Sequence, residues 1–378
     1  MSFKIGFDAK RAFHNNRGLG NYCRTLIANL NNYTRENEYY LFTPTPKSKE
    51  FIEWELKLNN SHIVEPKSFL AKKFSSTWRS VALSNVIKNY DLDIYHGLSH
   101  ELPPGIDKLQ IKKVVTIHDL IYLRFPEFFK PIDRIVYDKK FRHSCRSADK
   151  IIAICEQTKK DIIDFFNIDP SKIEVVYQSV DQSFYKEISQ EEIESVKKEL
   201  SLTRPYILYM GAFVERKNAI GLLQAYASSS LKDRFDLVMA GRGSDYLLKL
   251  KKEILKLKLQ DNVKILENVN DEMRKGLYSG ARVFCFPSFF EGFGLPIVES
   301  ILCDTPVITS EGSCFPESAG SGALYINPND IASIANALEK ICNDENLSRS
   351  LVEKGKEHVK QFSPENTVKK LLEVYSNL

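Results

Sequence analysis

The sequence is expected to fold as two parallel α/β domains, one after the other. Three observations point there. Short apolar runs of four to six residues recur along the chain, bounded by Gly, Pro, Asp or Asn and separated by longer stretches of helical periodicity. Those runs are continuously apolar, as in strands buried on both faces by crossover helices. The pattern stops at the charged segment Asp181 to Arg204 and then starts again, which marks a linker, itself helical from Gln190 to Leu200.

In the first half the expected strands are Lys4 to Phe7, Tyr39 to Phe42, Ile94 to His96, Val114 to Ile117, Ile151 to Ile154 and Val175 to Tyr177. The second half repeats the series with Tyr206 to Met210, Asp236 to Ala240, Val263 to Leu266, Val283 to Phe286, Pro306 to Thr309 and Ala323 to Ile326. The halves share architecture and no sequence repeat. The last helix should start at Ser363-Pro364, a cap followed by proline at a position where no N–H is needed. Val368, Leu371, Leu372 and Tyr375 follow at helical spacing, so one face is expected to be buried. The expected domains are residues 1–183, completed by the helix 363–378, and residues 184–362.

At 378 residues the chain can bury two separate cores. An apolar fraction of 43% with 27% charged residues suits a soluble globular enzyme. No apolar run approaches the roughly 18 residues of a spanning helix, and the amino terminus has no signal-peptide core, so a cytoplasmic location is expected. Seven scattered cysteines with no C-x-x-C pair read as small buried hydrophobes, not as disulfides or zinc ligands. Residues 1–180 carry 28 Lys and Arg against 21 Asp and Glu, which leaves 25 against 28 of the totals 53 and 49 for the remainder. The basic half suits an anionic membrane or a pyrophosphate-bearing substrate. With a net charge of only +4 and no nucleic-acid motif, a nucleic-acid partner is not expected.

The most informative stretch is Phe289 to Glu299. The run Ala281 to Phe286 reads as a buried strand, and Pro287-Ser288 ends it. Gly292 and Gly294 let the backbone take positive φ or approach a ligand, and Pro296 suits the first position of a helix. Glu291 is thereby expected on a loop at the carboxyl end of a strand and Glu299 in the first helical turn, where open α/β sheets bind ligands. Arg216-Lys217-Asn218 follow the strand Tyr206 to Met210 in the same way, and His118-Asp119 follow Val114 to Ile117. Cations near a helix start are unfavourable unless an anion binds there, so Arg216 and Lys217 point to an anionic ligand. Arg17-Gly18-Leu19-Gly20-Asn21 opens a helix after the first strand but lacks the third glycine of a dinucleotide fingerprint.

The Glu-x7-Glu spacing around E-G-F-G-L-P, with His118-Asp119, Arg216-Lys217-Asn218 and Pro316-Glu317 in order, resembles the retaining glycosyltransferases of family 4. The resemblance implies a GT-B fold, in which two Rossmann-like domains flank an interdomain cleft and the terminal helix returns to the first domain. It implies that Arg216 and Lys217 bind the donor's diphosphate, that Glu291 holds hydroxyls of the transferred sugar, and that Glu299 binds the ribose. Backbone N–H groups of Gly292, Phe293, Gly294 and Leu295 would add donors at the helix start. Gly18 and Gly20 would approach the donor phosphates and the acceptor, His118 would face the transferred sugar, and Val263 to Leu266 would contact the base. Two positions depart from the pattern: Asp304 stands where glycine is usual, and Gln178-Ser179 replace Asn-Gly or His-Gly.

The expected reaction moves a hexose from a nucleotide sugar to a hydroxyl of a growing glycan with retention. The block Gly6-Phe7-Asp8 through Gly20 resembles mannosyltransferases of bacterial surface polysaccharide and lipopolysaccharide assembly, which implies GDP-mannose and a lipid-linked glycan acceptor. No cofactor is expected. Because no Asp-x-Asp is placed against the diphosphate, the reaction is expected to be metal-independent, with Arg216 and Lys217 taking the cation's part. The alternatives are an epimerase of the same fold and a non-catalytic sugar-nucleotide-binding protein. Lys67 to Arg79 interleaves Lys67, Lys72, Lys73 and Arg79 with Phe69, Phe74 and Trp78, which gives a candidate for peripheral association with an anionic membrane.

Overall fold

Strand-forming runs with almost no exposed residue need a layer on each face, and each half of the chain supplies one. In the computed structural model, which describes residues 2–46, 48–67, 78 and 82–378, seven strands of the first half form one sheet. These are β1 (Lys4–Asp8), β2 (Glu38–Phe42), β3 (Ser61–Val64), β4 (Ile94–Gly97), β5 (Lys112–Ile117), β6 (Lys150–Ala153) and β7 (Ile173–Val175). Their order is β3-β2-β1-β4-β5-β6-β7, and every pairing is parallel. Side chains alternate between two cores. Tyr39, Leu41, Ile94, Val114 and Ile152 point to one side, where the helix Gly18–Tyr33 packs. Phe42, Tyr95, Val115, Ile117 and Ile151 point to the other.

The C-terminal helix Pro364–Ser376 is capped by Ser363, whose side chain accepts from the Asn366 N–H. It buries Val368, Leu371, Val374 and Tyr375 in the first of these cores, against the helix Gly18–Tyr33, and Leu372 is only half-buried. Residues Met1–Ser179 and Phe362–Leu378 therefore make one unit, and Val180–Gln361 make the other.

The second unit repeats the design with β8 (Tyr206–Met210), β9 (Asp236–Ala240), β10 (Val263–Leu266), β11 (Val283–Phe286), β12 (Val307–Ser310) and β13 (Ala323–Ile326). The order is β10-β9-β8-β11-β12-β13, again all parallel. In both sheets the strand order reverses beside the first strand, between β1 and β4 and between β8 and β11. The loops that leave those strands diverge to opposite faces and open a crevice at the carboxyl edge.

Three expectations need correction here. β3 was not anticipated, because Ser61–Val64 is short, begins with two polar residues and lies at the sheet edge. The strand expected at Val175 to Tyr177 ends at Val175, since Val176 only continues with a single backbone bond to Ala153. The segment read as a linker is built into the second unit: the helix Gln190–Glu199, closed by a Ser189–Glu192 capping box, packs on the helix Asp271–Ser279. A methyl on Gly276 would meet Val196 at 2.8 Å, which shows how closely they approach.

Candidate functional site

The site in the second unit grows from its switch point. β8 ends at Met210, and a 3-10 turn, Glu215–Lys217, carries the basic pair before Asn218 takes the left-handed φ of 52° and starts the helix Ala219–Ser228. β11 ends at Phe286, and its loop is held by a bond from the Phe289 N–H to the Arg216 carbonyl, 2.9 Å, and by the Ser310 hydroxyl on the Ser288 carbonyl, 2.7 Å. The two loops are thus tied backbone to backbone, although 73 positions separate Arg216 from Phe289.

That tie brings three of the expected residues together. Arg216 Nη1 and Lys217 Nζ both lie 2.9 Å from the same oxygen, Oε1 of Glu291. The Arg216 guanidinium also donates to the Phe290 carbonyl, and Lys217 Nζ sits 4.9 Å over the Phe286 ring. Burial by itself would raise the Glu291 carboxyl. The charges of Lys217 and Arg216, with the hydrogen bonds they donate, outweigh it and hold the group down at about 2. Glu291 is therefore ionised at neutral pH, and the cluster keeps one net positive charge. From below, the Ser313 hydroxyl and the Cys314 thiol reach the Glu291 carbonyl at 3.3 Å each.

Of the two glycines in the loop only Gly294 takes positive φ, at 93°, where a side chain would be strained and would meet Ile297 and Ser318. The helix Leu295–Leu302 begins directly after it. Pro296 is consequently its second residue and Glu299 its fifth, one residue deeper than the sequence suggested, because the glycine cap lets the helix start at Leu295. Phe293 is buried. Glu299 is buried too, and both its oxygens are engaged: Oε1 pairs with Arg274, and Oε2 accepts from the Tyr278 hydroxyl at 3.0 Å. Arg274 and Tyr278 went unrecognised in the sequence. Their four-residue spacing puts them on one face of the helix Asp271–Ser279, the only local signal they offer.

In the first unit, β5 delivers His118 to the carboxyl edge of the sheet. Its ring stands edge-on to Tyr22 at 4.5 Å and lies 5.0 Å from His100. His118 Nε2 is 2.9 Å from the Leu98 carbonyl, which can only accept, so Nε2 carries the ring proton and Nδ1 is an acceptor. Burial, reinforced by His100, lowers the imidazole to about 3 and keeps it neutral. His100, at φ 66°, stacks on Phe141 at 4.4 Å and accepts the His118 N–H at its Nδ1. His96 is fully buried between the Tyr375 hydroxyl at 2.7 Å and the Thr116 hydroxyl at 2.8 Å, where it joins the C-terminal helix to the sheet.

The glycines near the amino terminus divide. Gly18, first residue of its helix, has open space where a Cβ would stand. Gly20 has none: a Cβ there would fall 1.7 Å from the Asn15 carbonyl oxygen, so close packing of the chain accounts for it. The two departures are also explained. Asp304 adopts φ 59° and pairs with Lys356, so the position still requires the left-handed backbone that glycine gives freely. Ser179 accepts from Asn29 at 2.9 Å.

Similarity decides what this arrangement belongs to. The model of group 1 glycosyl transferases matches residues 190–358, and that of Glycosyltransferase Family 4 matches residues 16–184. The O-antigen chain mannosyltransferase B of Escherichia coli is 31% identical over 298 residues, 77% of this chain and 76% of that protein. The chain belongs to these glycosyltransferases. This glycosyltransferase is also 30% identical over 261 residues to the O-antigen chain mannosyltransferase RfbU of Salmonella typhimurium, covering 69% of the chain and 68% of the relative. Its fold matches that of Anabaena Alr3699/HepE, solved in complex with UDP and glucose, with TM-score 0.77 at 17% identity over the whole of both chains. It likewise matches WaaG, a glycosyltransferase involved in lipopolysaccharide biosynthesis, with TM-score 0.74 at 15% identity over 98% of this chain and 99% of that one. The fold of the glycosyltransferase is GT-B, with two parallel-sheet α/β domains.

Proposed function

We propose that this glycosyltransferase moves mannose from GDP-mannose to a hydroxyl of a growing surface glycan carried on a lipid, with retention at the anomeric carbon. The observation that carries the reading is the convergence of Arg216 and Lys217 on one oxygen of Glu291 at the switch point of the second sheet. As the glycosidic bond breaks, negative charge grows on the leaving diphosphate. Two fixed cations that already face one another across a carboxylate need little reorganisation to receive it. Glu291 sets their positions and offers its carboxylate to sugar hydroxyls, Glu299, already held by Arg274 and Tyr278, has the remaining lone pairs of its carboxylate for the ribose, and the N–H groups of residues 292–295 add donors at the helix start.

His118 enters as a neutral ring whose Nδ1 accepts a hydroxyl of the transferred sugar. The acceptor's proton passes to the donor's own phosphate, a front-face course that needs no protein nucleophile. Mannose as the sugar is supported by the two O-antigen mannosyltransferase relatives at 31% and 30% identity. The metal's usual part against the diphosphate is assigned to Arg216 and Lys217.

Thermal unfolding with nucleotide sugars tests the reading. A donor at a hundred times its dissociation constant stabilises by about 2.7 kcal/mol. GDP-mannose and GDP should both shift the transition and guanosine should not, because the cations recognise the diphosphate. If guanosine stabilises as well as GDP, or no nucleoside diphosphate sugar does, the donor assignment is wrong. Stabilisation by a UDP-sugar but not GDP-mannose would overturn the base and sugar alone.

A further inference from the structure

Glu299 is held by a charge pair of its own, and folding alone does not account for it. Its side chain and that of Arg274 are only 8% and 21% exposed. Replacing a buried ion pair by packed apolar side chains is often neutral or stabilising, so stability gives little reason to place one here. The geometry gives a better one. Arg274 takes Oε1 and the Tyr278 hydroxyl takes Oε2, one donor on each oxygen, which fixes the plane of the carboxylate. A carboxylate has about four acceptor sites, so about two of them stay open.

Both donors are themselves set in place. The Tyr278 carbonyl accepts from the Thr305 hydroxyl at 2.6 Å, and the Thr305 N–H donates to the Ser300 carbonyl at 3.0 Å, so the helix Asp271–Ser279 is tied to the end of the helix that carries Glu299. Phe184 is buried and meets both side chains: the Arg274 guanidinium lies 5.5 Å over its ring, and the Tyr278 ring stands 6.2 Å from it at 66°. It sits in a 3-10 turn, Gln182–Tyr185, just after the chain enters the second unit at Val180. Lys275 Nζ clasps that turn by donating to the Ser183 carbonyl at 2.9 Å and to the Lys186 carbonyl.

We infer that Arg274, Tyr278 and Phe184 are positioning residues for donor recognition: Phe184 sets the guanidinium and the phenol, and these present the Glu299 carboxylate to the two hydroxyls of a nucleotide's ribose. This rests on the reading of Glu299 as the ribose carboxylate and is independent of the base. A carboxylate free to rotate would have to be ordered each time a ligand binds, and ordering it beforehand removes that cost. The network lies wholly within the second unit. Of the first unit's candidate for membrane contact, Lys67 to Arg79, the residues Phe69, Lys72, Lys73, Phe74 and Arg79 lie outside the described residues and Trp78 is buried. No described helix is long and apolar enough to cross a membrane.

Calorimetric titration of the full chain with GDP and with UDP, each beside its dideoxy analogue that lacks both ribose hydroxyls, tests the positioning role. In the wild type the nucleotide that binds better should do so at least about tenfold more tightly than its analogue. Arg274→Met, Tyr278→Phe and Phe184→Leu should each cut that ratio at least about threefold, by weakening the nucleotide and leaving the analogue nearly as it was. Added to Glu299→Gln, Arg274→Met should change nucleotide affinity less than about twofold, because its effect runs through that carboxylate. A partly unfolded variant lowers the stoichiometry and leaves the ratio in place, so misfolding does not imitate the result. If Glu299→Gln lowers the ratio and the other variants do not, or if they weaken nucleotide and analogue equally, the positioning role falls while the ribose reading of Glu299 stands. Phe184→Leu at the wild-type ratio would remove the ring from the chain of support. If Glu299→Gln itself keeps the wild-type ratio, or neither nucleotide is preferred to its analogue, both readings fall.

Discussion

Replacing Glu291 by Gln keeps the shape of the side chain and removes the charge on which Arg216 and Lys217 converge. The carboxyl is held at about 2 against a usual 4.5, and its side chain is only 12% exposed, so solvent screening discounts little. At 1.36 kcal/mol per unit the shift corresponds to about 3 kcal/mol of stability at neutral pH. The sign follows from the depressed value: the contribution is complete above the unfolded carboxyl's pKa, and it is lost as pH falls toward the folded one. By about pH 3.5 it should have shrunk to about 2 kcal/mol, whereas the Glu291→Gln variant has no carboxyl to titrate at this position. Urea titrations of wild type and Glu291→Gln, followed on the transition of the second unit, measure the difference at both pH values. A neutral-pH difference below about 1 kcal/mol, or one that does not shrink on acidification, would refute the argument that this ion cluster organises the site.

Other outcomes follow from the same geometry. Lys217→Ala and Glu291→Ala should each lower turnover at least about a hundredfold in a sugar-transfer assay, the scale of losing one electrostatic contact to the transition state. Wild-type rates in both folded variants would remove them from the chemistry. EDTA should leave transfer nearly unchanged, and abolition with rescue by magnesium or manganese would show that the two cations do not suffice. His96, His100 and His118 are each lowered to about 3 from 6.5 by burial. The unfolded chain takes up protons below about pH 6.5 that the folded unit refuses, so each histidine should weaken the first unit by up to about 1.4 kcal/mol per pH unit as pH falls. Circular dichroism against pH should show His100→Gln flattening that acid sensitivity, and an unchanged profile would contradict the burial argument.

The series of strands was legible because parallel strands covered on both faces must be apolar throughout: Tyr206–Met210, Asp236–Ala240, Val263–Leu266, Val283–Phe286 and Ala323–Ile326 fall where the sequence put them. β3 escaped because an edge strand need satisfy that demand on fewer sides. The positions of the candidate residues were also legible, since Glu291, His118, Arg216 and Lys217 all lie on loops that follow a strand. What they do to one another was not. Arg216 and Lys217 meet Glu291 only because β8 and β11 are adjacent in a sheet order that departs from chain order, and local periodicity does not encode that order. Glu299 is answered by Arg274 and Tyr278, and His96 by Tyr375, 279 positions away, for the same reason. Hydrophobic pattern and turn chemistry act over a few residues and so can be read along the chain. Hydrogen-bond partners, charge pairing and the resulting protonation states depend on distances of about 3 Å between segments remote in sequence, and only the folded packing sets those.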